Sequence, residues 1–308
     1  MGPTLWHSGA MPRSFTRAAL VLLALTAAFV VAACGGSAGT EKTAKETLAS
    51  VKPLSSAQVN AALRIFFDNA PPEVGNKLEL TFNGPLRNNG ADKLPSLDWK
   101  IAFSGLTTKF TSRAVSTGDN FFINLGGQDF EAGREAVAQL TAQAREGQQK
   151  GVSAVGLDPL GAVKGVKKGD QVTVAGAKAT SYTGAIDLDK AMDQYERLSQ
   201  SLPTTGASAA VPQGRLTPEQ RAQVKRTFGS PRFEAAIAED DTVRRLVLTT
   251  KFTTPAFNRE GAGGITGGRI EYRVEYSDVG EETTIVAPKD TQPIGDFARE
   301  LQRILSRR

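Results

Sequence analysis

From about residue 59 onward, alternation of apolar and polar positions with a period of two dominates this chain. Leu78, Leu80 and Phe82 share one parity, against Lys77, Glu79 and Thr81 on the other. Trp99, Ile101 and Phe103 alternate with Asp98, Lys100 and Ala102, and Ile270, Tyr272, Val274 and Tyr276 with Glu271, Arg273, Glu275 and Ser277. Leu246, Leu248 and Phe252 repeat the pattern less strictly. One wet face and one apolar face is the signature of an antiparallel sheet covered on one side. Shorter runs predict further strands at Lys109 to Val115, Asn120 to Leu125, Gln171 to Ala175, Ala179 to Ile186, Phe233 to Ala238 and Thr283 to Val286. Val59 to Asp68 fits two periods, since Leu63, Ile65 and Phe67 alternate while Val59, Leu63 and Phe66 suit a helix; the strand reading is favoured. Turn residues separate the runs at Gly84-Pro85, Asn88-Asn89-Gly90, Gly126-Gly127 and Gly169-Asp170.

Helical spacing appears between and after these strands. Residues 131–147 place Ala136, Val137, Leu140 and Ala144 on one face, and Leu188, Met192, Tyr195, Leu198 and Leu202 form a stripe ended by Pro203. Thr217-Pro218-Glu219-Gln220 combines a capping threonine, a first-turn proline and a glutamine at the third position, so a helix should start there and run to Gly229. Thr43 to Lys52 suits a short helix ended by Pro53, and Ile294, Phe297, Leu301 and Ile304 share a side near the C-terminus. About ten strands and about five amphipathic helices without a strand–helix–strand rhythm predict an α+β fold. The expectation is a large antiparallel sheet with helices on its apolar face.

The N-terminus is organised differently. Arg13 and Arg17 precede an apolar run from Ala18 to Val30, which leads into Val31-Ala32-Ala33-Cys34-Gly35-Gly36. A positive flank, a short apolar stretch and small residues before a cut site make a secretory signal. The run falls short of the roughly 20 apolar residues of a membrane span. Its Val-Ala-Ala-Cys end resembles the lipobox of bacterial lipoproteins, in which the thiol of the cysteine, here Cys34, receives a diacylglyceryl group and the leader is removed. Met11 offers an alternative start that leaves this reading unchanged. Residues 1–33 are therefore expected to be a removed signal peptide, and 34–54 a lipidated cysteine, tether and short helix. Residues 55–308 should then be one domain, with an Ala/Ser/Thr/Gly/Pro-rich insertion near 203–215.

Composition narrows the chemistry. The chain has one cysteine and one histidine, and the histidine, His7, lies in the leader. A processed chain has no imidazole and no free thiol, which excludes Ser-His-Asp and Cys-His catalysis, His/Cys zinc sites and disulfides. Glu239-Asp240-Asp241 reads as a solvated turn between two strands. Asp187, Asp189 and Asp193 lack the glycine and terminal glutamate of a calcium loop. The Gly261–Gly268 stretch lacks the Lys-Ser/Thr of a P-loop and reads as a hairpin loop. The formal net charge of +5 includes both leader arginines. No dense Lys/Arg cluster suggests a nucleic-acid surface; Lys164, Lys167 and Lys168 come nearest and read as a solvated loop. No enzyme activity, metal or cofactor is expected. The residual enzymatic alternative is a carboxylate pair acting on envelope glycans, but Glu79 and Glu271 share only a polar parity, and nothing in the sequence brings them together.

Three segments carry a resemblance to a known family. The first is Gly84-Pro85 with Lys93-Leu94-Pro95-Ser96-Leu97-Asp98, then Ser116-Thr117-Gly118-Asp119-Asn120 leading into Phe121-Phe122-Ile123. The second is Leu157-Asp158-Pro159, a Lys/Gly-rich turn, and Val174 to Leu188; the third is Asp240-Asp241-Thr242-Val243-Arg244-Arg245-Leu246. Together with the lipobox they resemble actinobacterial lipoproteins of the LppX and LprG type, whose fold is shared with LolA and LolB. The resemblance implies a half-barrel, a curved antiparallel sheet whose concave apolar face is covered by helices around a cavity. In relatives that cavity holds lipid or glycolipid acyl chains. The candidate lining is Leu78, Leu80, Phe82, Trp99, Ile101, Phe103, Tyr272, Val274 and Tyr276, although a filled core has the same composition as a pocket wall. The implied function is an extracytoplasmic lipoprotein, anchored to the cell membrane by lipidated Cys34, that binds lipids and takes part in lipid transport. Residues 131–150 and 203–230 would be its movable covers. The alternative is a structural or sensory envelope lipoprotein that binds a protein partner and transports nothing.

Overall fold

The computed structural model describes residues 43–72, 74–90, 93–105, 108–138, 141, 162–201, 215–254, 264–297, 299–300 and 303. The leader, Cys34, the tether and the 203–214 insertion lie outside the described residues, as do Leu140, Ala144, Leu202, Leu301 and Ile304.

Twelve described strands make one open sheet. They are β1 (Ser56–Asp68), β2 (Lys77–Arg87), β3 (Ser96–Gly105), β4 (Thr108–Ser116), β5 (Phe121–Leu125) and β6 (Gln128–Glu131), followed by β7 (Val163–Val174), β8 (Ala177–Ile186), β9 (Arg232–Ala238), β10 (Val243–Thr253), β11 (Gly267–Ser277) and β12 (Thr291–Pro293). Their spatial order is β12-β6-β5-β4-β3-β2-β1-β11-β10-β9-β8-β7. The first six strands thus step outward from the middle, and β7 to β11 step back in from the opposite margin. β1 and β11 close the seam, eleven residue pairs in unbroken antiparallel register from Gln58 opposite Ser277 to Asp68 opposite Gly267. Only β12, on β6, pairs in parallel.

The strands expected at β2, β3 and β11 form; β11 alternates in burial as expected, whereas β2 and β3 are mostly partly buried on both parities, and β1 takes its strand reading with Ala57, Val59, Ala61 and Leu63 all buried. Three described helices pack on the apolar side. α1 (Ala44–Ala49) is held by a reciprocal capping box between Thr43 and Glu46 and sets Leu48 and the following Val51 into the core. α2 (Leu188–Ser201) buries Ala191, Met192 and Tyr195. α3 (Pro218–Thr227) starts at the predicted capping box of Thr217 and Gln220. Its Val224 touches the core, and Phe228, just beyond it, bridges to Phe252 of β10. Arg221 ties α3 to α2 by binding Asp193 and, at 3.0 Å, Glu196. A further helical stretch at 134–138 buries Val137, and Phe297 sets its ring edge-on to Phe130 at 5.6 Å.

Several expected turns and strands are corrected. Gly84-Pro85 lies inside β2, not between strands. Gly84 takes φ +146°, which lets the Asp98 carbonyl of β3 approach to where a side chain would stand. The ladder pairs Asn83 with Lys100 and resumes at Leu86 with Leu97, so proline, which has no N–H to donate, sits where β3 takes no partner from it. Lys164, Lys167, Lys168 and Gly169-Asp170 are not loop residues; all lie in β7, whose pairing with β8 shifts register twice, between Lys164 and Lys167 and between Lys168 and Gln171. Those bulges disrupt the alternation that would have revealed the strand. Gly267 and Gly268 belong to β11 and not to a glycine-rich loop. Thr283 to Val286 is extended in residue pattern but joins no strand, leaving Val286 64% exposed. The four-residue β6, too short to show a period, comes where the helix was expected to begin.

Candidate functional site

The register places the nine candidate residues on one side of the sheet. Leu63 of β1 faces Tyr272 across one neighbour and Leu80 across the other, and Leu80 in turn faces Phe103. The next row reads Val274, Ala61, Phe82, Ile101, and the next brings Tyr276, Val59 and Gly84 together, with Trp99 two residues along β3 from Ile101. Ile270, Ile65 and Leu78 make a row toward the other end. Small residues on β1 and Gly84 therefore lie between aromatic flanks, Tyr272 and Tyr276 on one side and Phe82, Trp99 and Phe103 on the other. Val59, Ala61, Leu63 and Ile65 belong to this surface too. The helix-like alternative period at Val59–Asp68 kept them from being chosen by sequence.

Cover over this face is uneven. Tyr272, Val274 and Tyr276 are 3%, 0% and 3% exposed, so the β11 flank is closed by the packed core. Leu78, Leu80, Phe82, Trp99, Ile101 and Phe103 are all only partly buried. Beyond them Phe110 of β4 stacks on Phe103 with centroids 5.3 Å apart and is 48% exposed. Phe82 and Trp99 meet edge-on at 6.0 Å.

The opposite face is a ladder of paired charges. Arg64, in the middle of β1, binds Glu79 of β2 at 2.6 Å and Glu271 of β11 at 3.2 Å, and Lys77 reaches Glu79 at 2.9 Å. The structure thus brings together the two carboxylates that sequence left apart, but on an open sheet face with an arginine between them. Hydrogen bonds from Lys77 and then Arg64 hold the Glu79 carboxyl below its ordinary range. A general acid for glycoside chemistry needs the reverse shift. A depressed folded-state value means that this increment of stability is present above the unfolded value of about 4.3 and is lost as pH falls through the folded one. Glu79→Gln is therefore expected to flatten the acid side of the stability curve below about pH 4.3, measured by urea unfolding at a series of pH values.

A cleft of about 330 Å³ lies at the far margin of the sheet, lined by Gly126, Gly127, Gln128, Phe130, Gln292, Glu300 and Arg303. None of the nine candidates reaches it, and its ionised groups Glu300 and Arg303 pair with each other. Among the described residues no group of three or more His, Cys, Asp or Glu is placed to hold a metal ion. No described helix is long and apolar enough to cross a membrane.

Fold and site together define a class: an open antiparallel sheet with ion pairs on one face and an apolar other face that is buried along β11 and only partly buried along β2 and β3. Among solved structures the chain is similar to the lipoprotein LppX of Mycobacterium tuberculosis, with 14% identity over 76% of this chain and 90% of that one and a TM-score of 0.35. It is similar also to LprF of Mycobacterium bovis, with 13% identity, 88% and 96% coverage and a TM-score of 0.39. An outer membrane lipoprotein-sorting protein domain of Vibrio parahaemolyticus follows at 7% identity, 84% and 95% coverage and a TM-score of 0.22. No family model and no curated protein matches the chain.

Proposed function

We propose that this protein is an extracytoplasmic lipoprotein, anchored to the cell membrane through lipidated Cys34, whose half-covered apolar face receives lipid acyl chains and passes them between membranes. The observation that carries this reading is the contrast across one continuous surface. Its β11 flank is sealed as a core would be, while six large apolar side chains on β2 and β3 are left partly open beside it. Contiguous apolar surface of this kind marks a binding site more often than chance exposure. An acyl chain laid on it contributes about 0.8 kcal/mol for each methylene removed from water. The ion pairs on the opposite face of β1, β2 and β11 hold that part of the sheet toward water, whereas a small buried cluster of Val174, Ala179, Ala236 and Ala238 occupies the same face at β7–β9. Two or more acyl chains on Cys34 give stable attachment where a single chain gives only marginal binding.

Mass spectrometry of an organic extract of the purified full chain tests this reading. The expected result is co-purifying acyl lipid, reduced at least about tenfold in Ile101→Asp, since a carboxylate in an acyl site forfeits well over the 1.4 kcal/mol that a factor of ten represents. Circular dichroism melting distinguishes loss of ligand from loss of fold. Cys34→Ala should release the protein from the membrane fraction without changing its lipid content. An extract free of lipid from a folded protein would favour the reading as a structural or sensory partner-binding domain.

A further inference from the structure

Residues 281–290 carry the chain from the seam of the sheet to its far margin without joining it. The Gly280 N–H donates to the Ser56 carbonyl at the start of β1, and Thr291 opens β12 alongside β6, five strands away. That crossing is about 24 Å at 4.8 Å per strand, and the chain makes it without a turn or bend before Lys289. The composition is that of a strand, since Thr283, Thr284, Ile285 and Val286 are all β-branched. Exposure alternates as in a strand: Glu282, Thr284 and Val286 are exposed, whereas Thr283, Ile285 and Ala287 are partly buried. Among the described residues no backbone hydrogen bond reaches 282–289, and Val286 is the most exposed large apolar side chain. Unpaired amides and carbonyls along such a segment are a template for another strand.

We infer that this segment pairs with the same segment of a second copy of the chain, antiparallel and about a two-fold axis at Ile285. Charge selects both partner and direction. Glu281 and Glu282 stand at one end and Lys289 at the other, all exposed, and among the described residues neither Glu281 nor Lys289 is ion-paired. A parallel alignment would set Glu281 against Glu281. The antiparallel one sets Glu281 opposite Lys289 of the second copy, twice by symmetry. Thr284 then covers Val286 of the second copy, Thr283 meets Ala287, and Asp290 falls opposite Gly280. Pro288 has no N–H to donate, so the ladder ends where it meets Glu282. Because the contact is two-fold, each copy uses its one segment and none is left to recruit a third. Two such short strands bury far less than the roughly 1,200 Å² of a stable interface. The pair therefore forms where copies are concentrated, and for that it rests on the reading of Cys34 as a membrane anchor.

Cys34 is the only cysteine, and its thiol is blocked if it is lipidated as proposed. Ile285→Cys in the full chain then adds a single reactive thiol, placed opposite itself at the two-fold axis. Under mild oxidation of membranes carrying the protein, it should form a disulfide-linked dimer at least about tenfold faster than Phe110→Cys, an exposed control position on β4. Adding Lys289→Glu should slow the reaction about threefold or more, and adding Glu281→Lys as well should restore it. The same variants in a Cys34→Ala chain, concentrated to the millimolar range in solution, should keep the same order of rates. Ile285→Cys reacting no faster than Phe110→Cys in both settings overturns the pairing, whatever the state of the anchor. So does a charge-swapped protein as slow as Lys289→Glu alone. Preferential cross-linking of the concentrated chain, with the Cys34 protein found in the soluble fraction, upholds the pairing and overturns the anchor.

Discussion

Gly84→Ala is expected to lose roughly 2–6 kcal/mol of folding stability, adding about 1–3 for a strained backbone to about 1–3 for overpacking. A methyl group there would stand 2.0 Å from the Asp98 carbonyl oxygen and 3.2 Å from the Trp99 Cα, both backbone atoms of a central strand. Its φ of +146° also suits glycine alone. Relief would require β3 to move, and β3 is laddered to β4 from Leu97 to Gly105. Gly127→Ala separates the two causes. That glycine also has positive φ, +88°, but nothing lies within 4 Å of the added carbon, so it should lose only the strain part, about 1–3 kcal/mol. Equilibrium urea unfolding reads both from the shift in midpoint at unchanged slope. Equal losses would mean that the close approach of β2 and β3 costs nothing to disturb. Gly84→Ala should also disturb the proposed acyl-binding surface, because Gly84 adjoins Val59 at its floor.

Alkaline unfolding is the second large effect. Burial pushes the phenols of Tyr272 and Tyr276 far above their ordinary range, with the neighbouring Tyr276 adding to the shift at Tyr272. Both stay neutral in the native state, whereas in the unfolded chain they ionise near pH 10. The sign follows directly: stability is intact below about pH 10 and falls as pH rises past it, by about 1.4 kcal/mol per pH unit for each tyrosine. The pair together should remove about 2.7 kcal/mol per unit, enough to unfold a domain of ordinary stability within two or three pH units. Phenolate absorbance and the loss of β-structure circular dichroism should therefore rise in one transition. Tyr276→Phe should lower the slope above pH 10 by about 1.4 kcal/mol per pH unit. Phenolate appearing well before the structure is lost would show that water reaches the β11 flank.

Sequence carried the fold as far as local pattern could. Where a strand has one wet face and one apolar face, as in β2, β3 and β11, parity alone identifies which residues share the apolar surface, and all nine candidates lie on it. β1 was harder because its second face is also partly apolar, with Ala62 buried and Phe66 lying under the Arg269 guanidinium at 4.6 Å. Thr283 to Val286 had the composition of a strand but no neighbour to pair with, and pairing is a property of distant chain. Gly84-Pro85 read as a turn because both residues usually break strands; only the approach of Asp98 shows why they are needed inside one. The evenness of cover is likewise nonlocal. Nothing in the spelling of Val274 and Ile101 distinguishes the fully buried residue from the one left partly exposed.

The β7 margin has a consequence of its own under the proposed membrane anchor. It is the outermost strand of a twelve-strand sheet, and an outermost strand offers its free amides and carbonyls to any extended segment that drifts alongside. If Cys34 is lipidated as proposed, identical copies held to a two-dimensional surface would collide edge to edge far more often than in free solution. Lys164, Lys167 and Lys168, with two register breaks, repel a like margin and bend the backbone out of line. The lysines that sequence placed in a loop thus sit where a charged, bulged margin discourages edge-to-edge pairing.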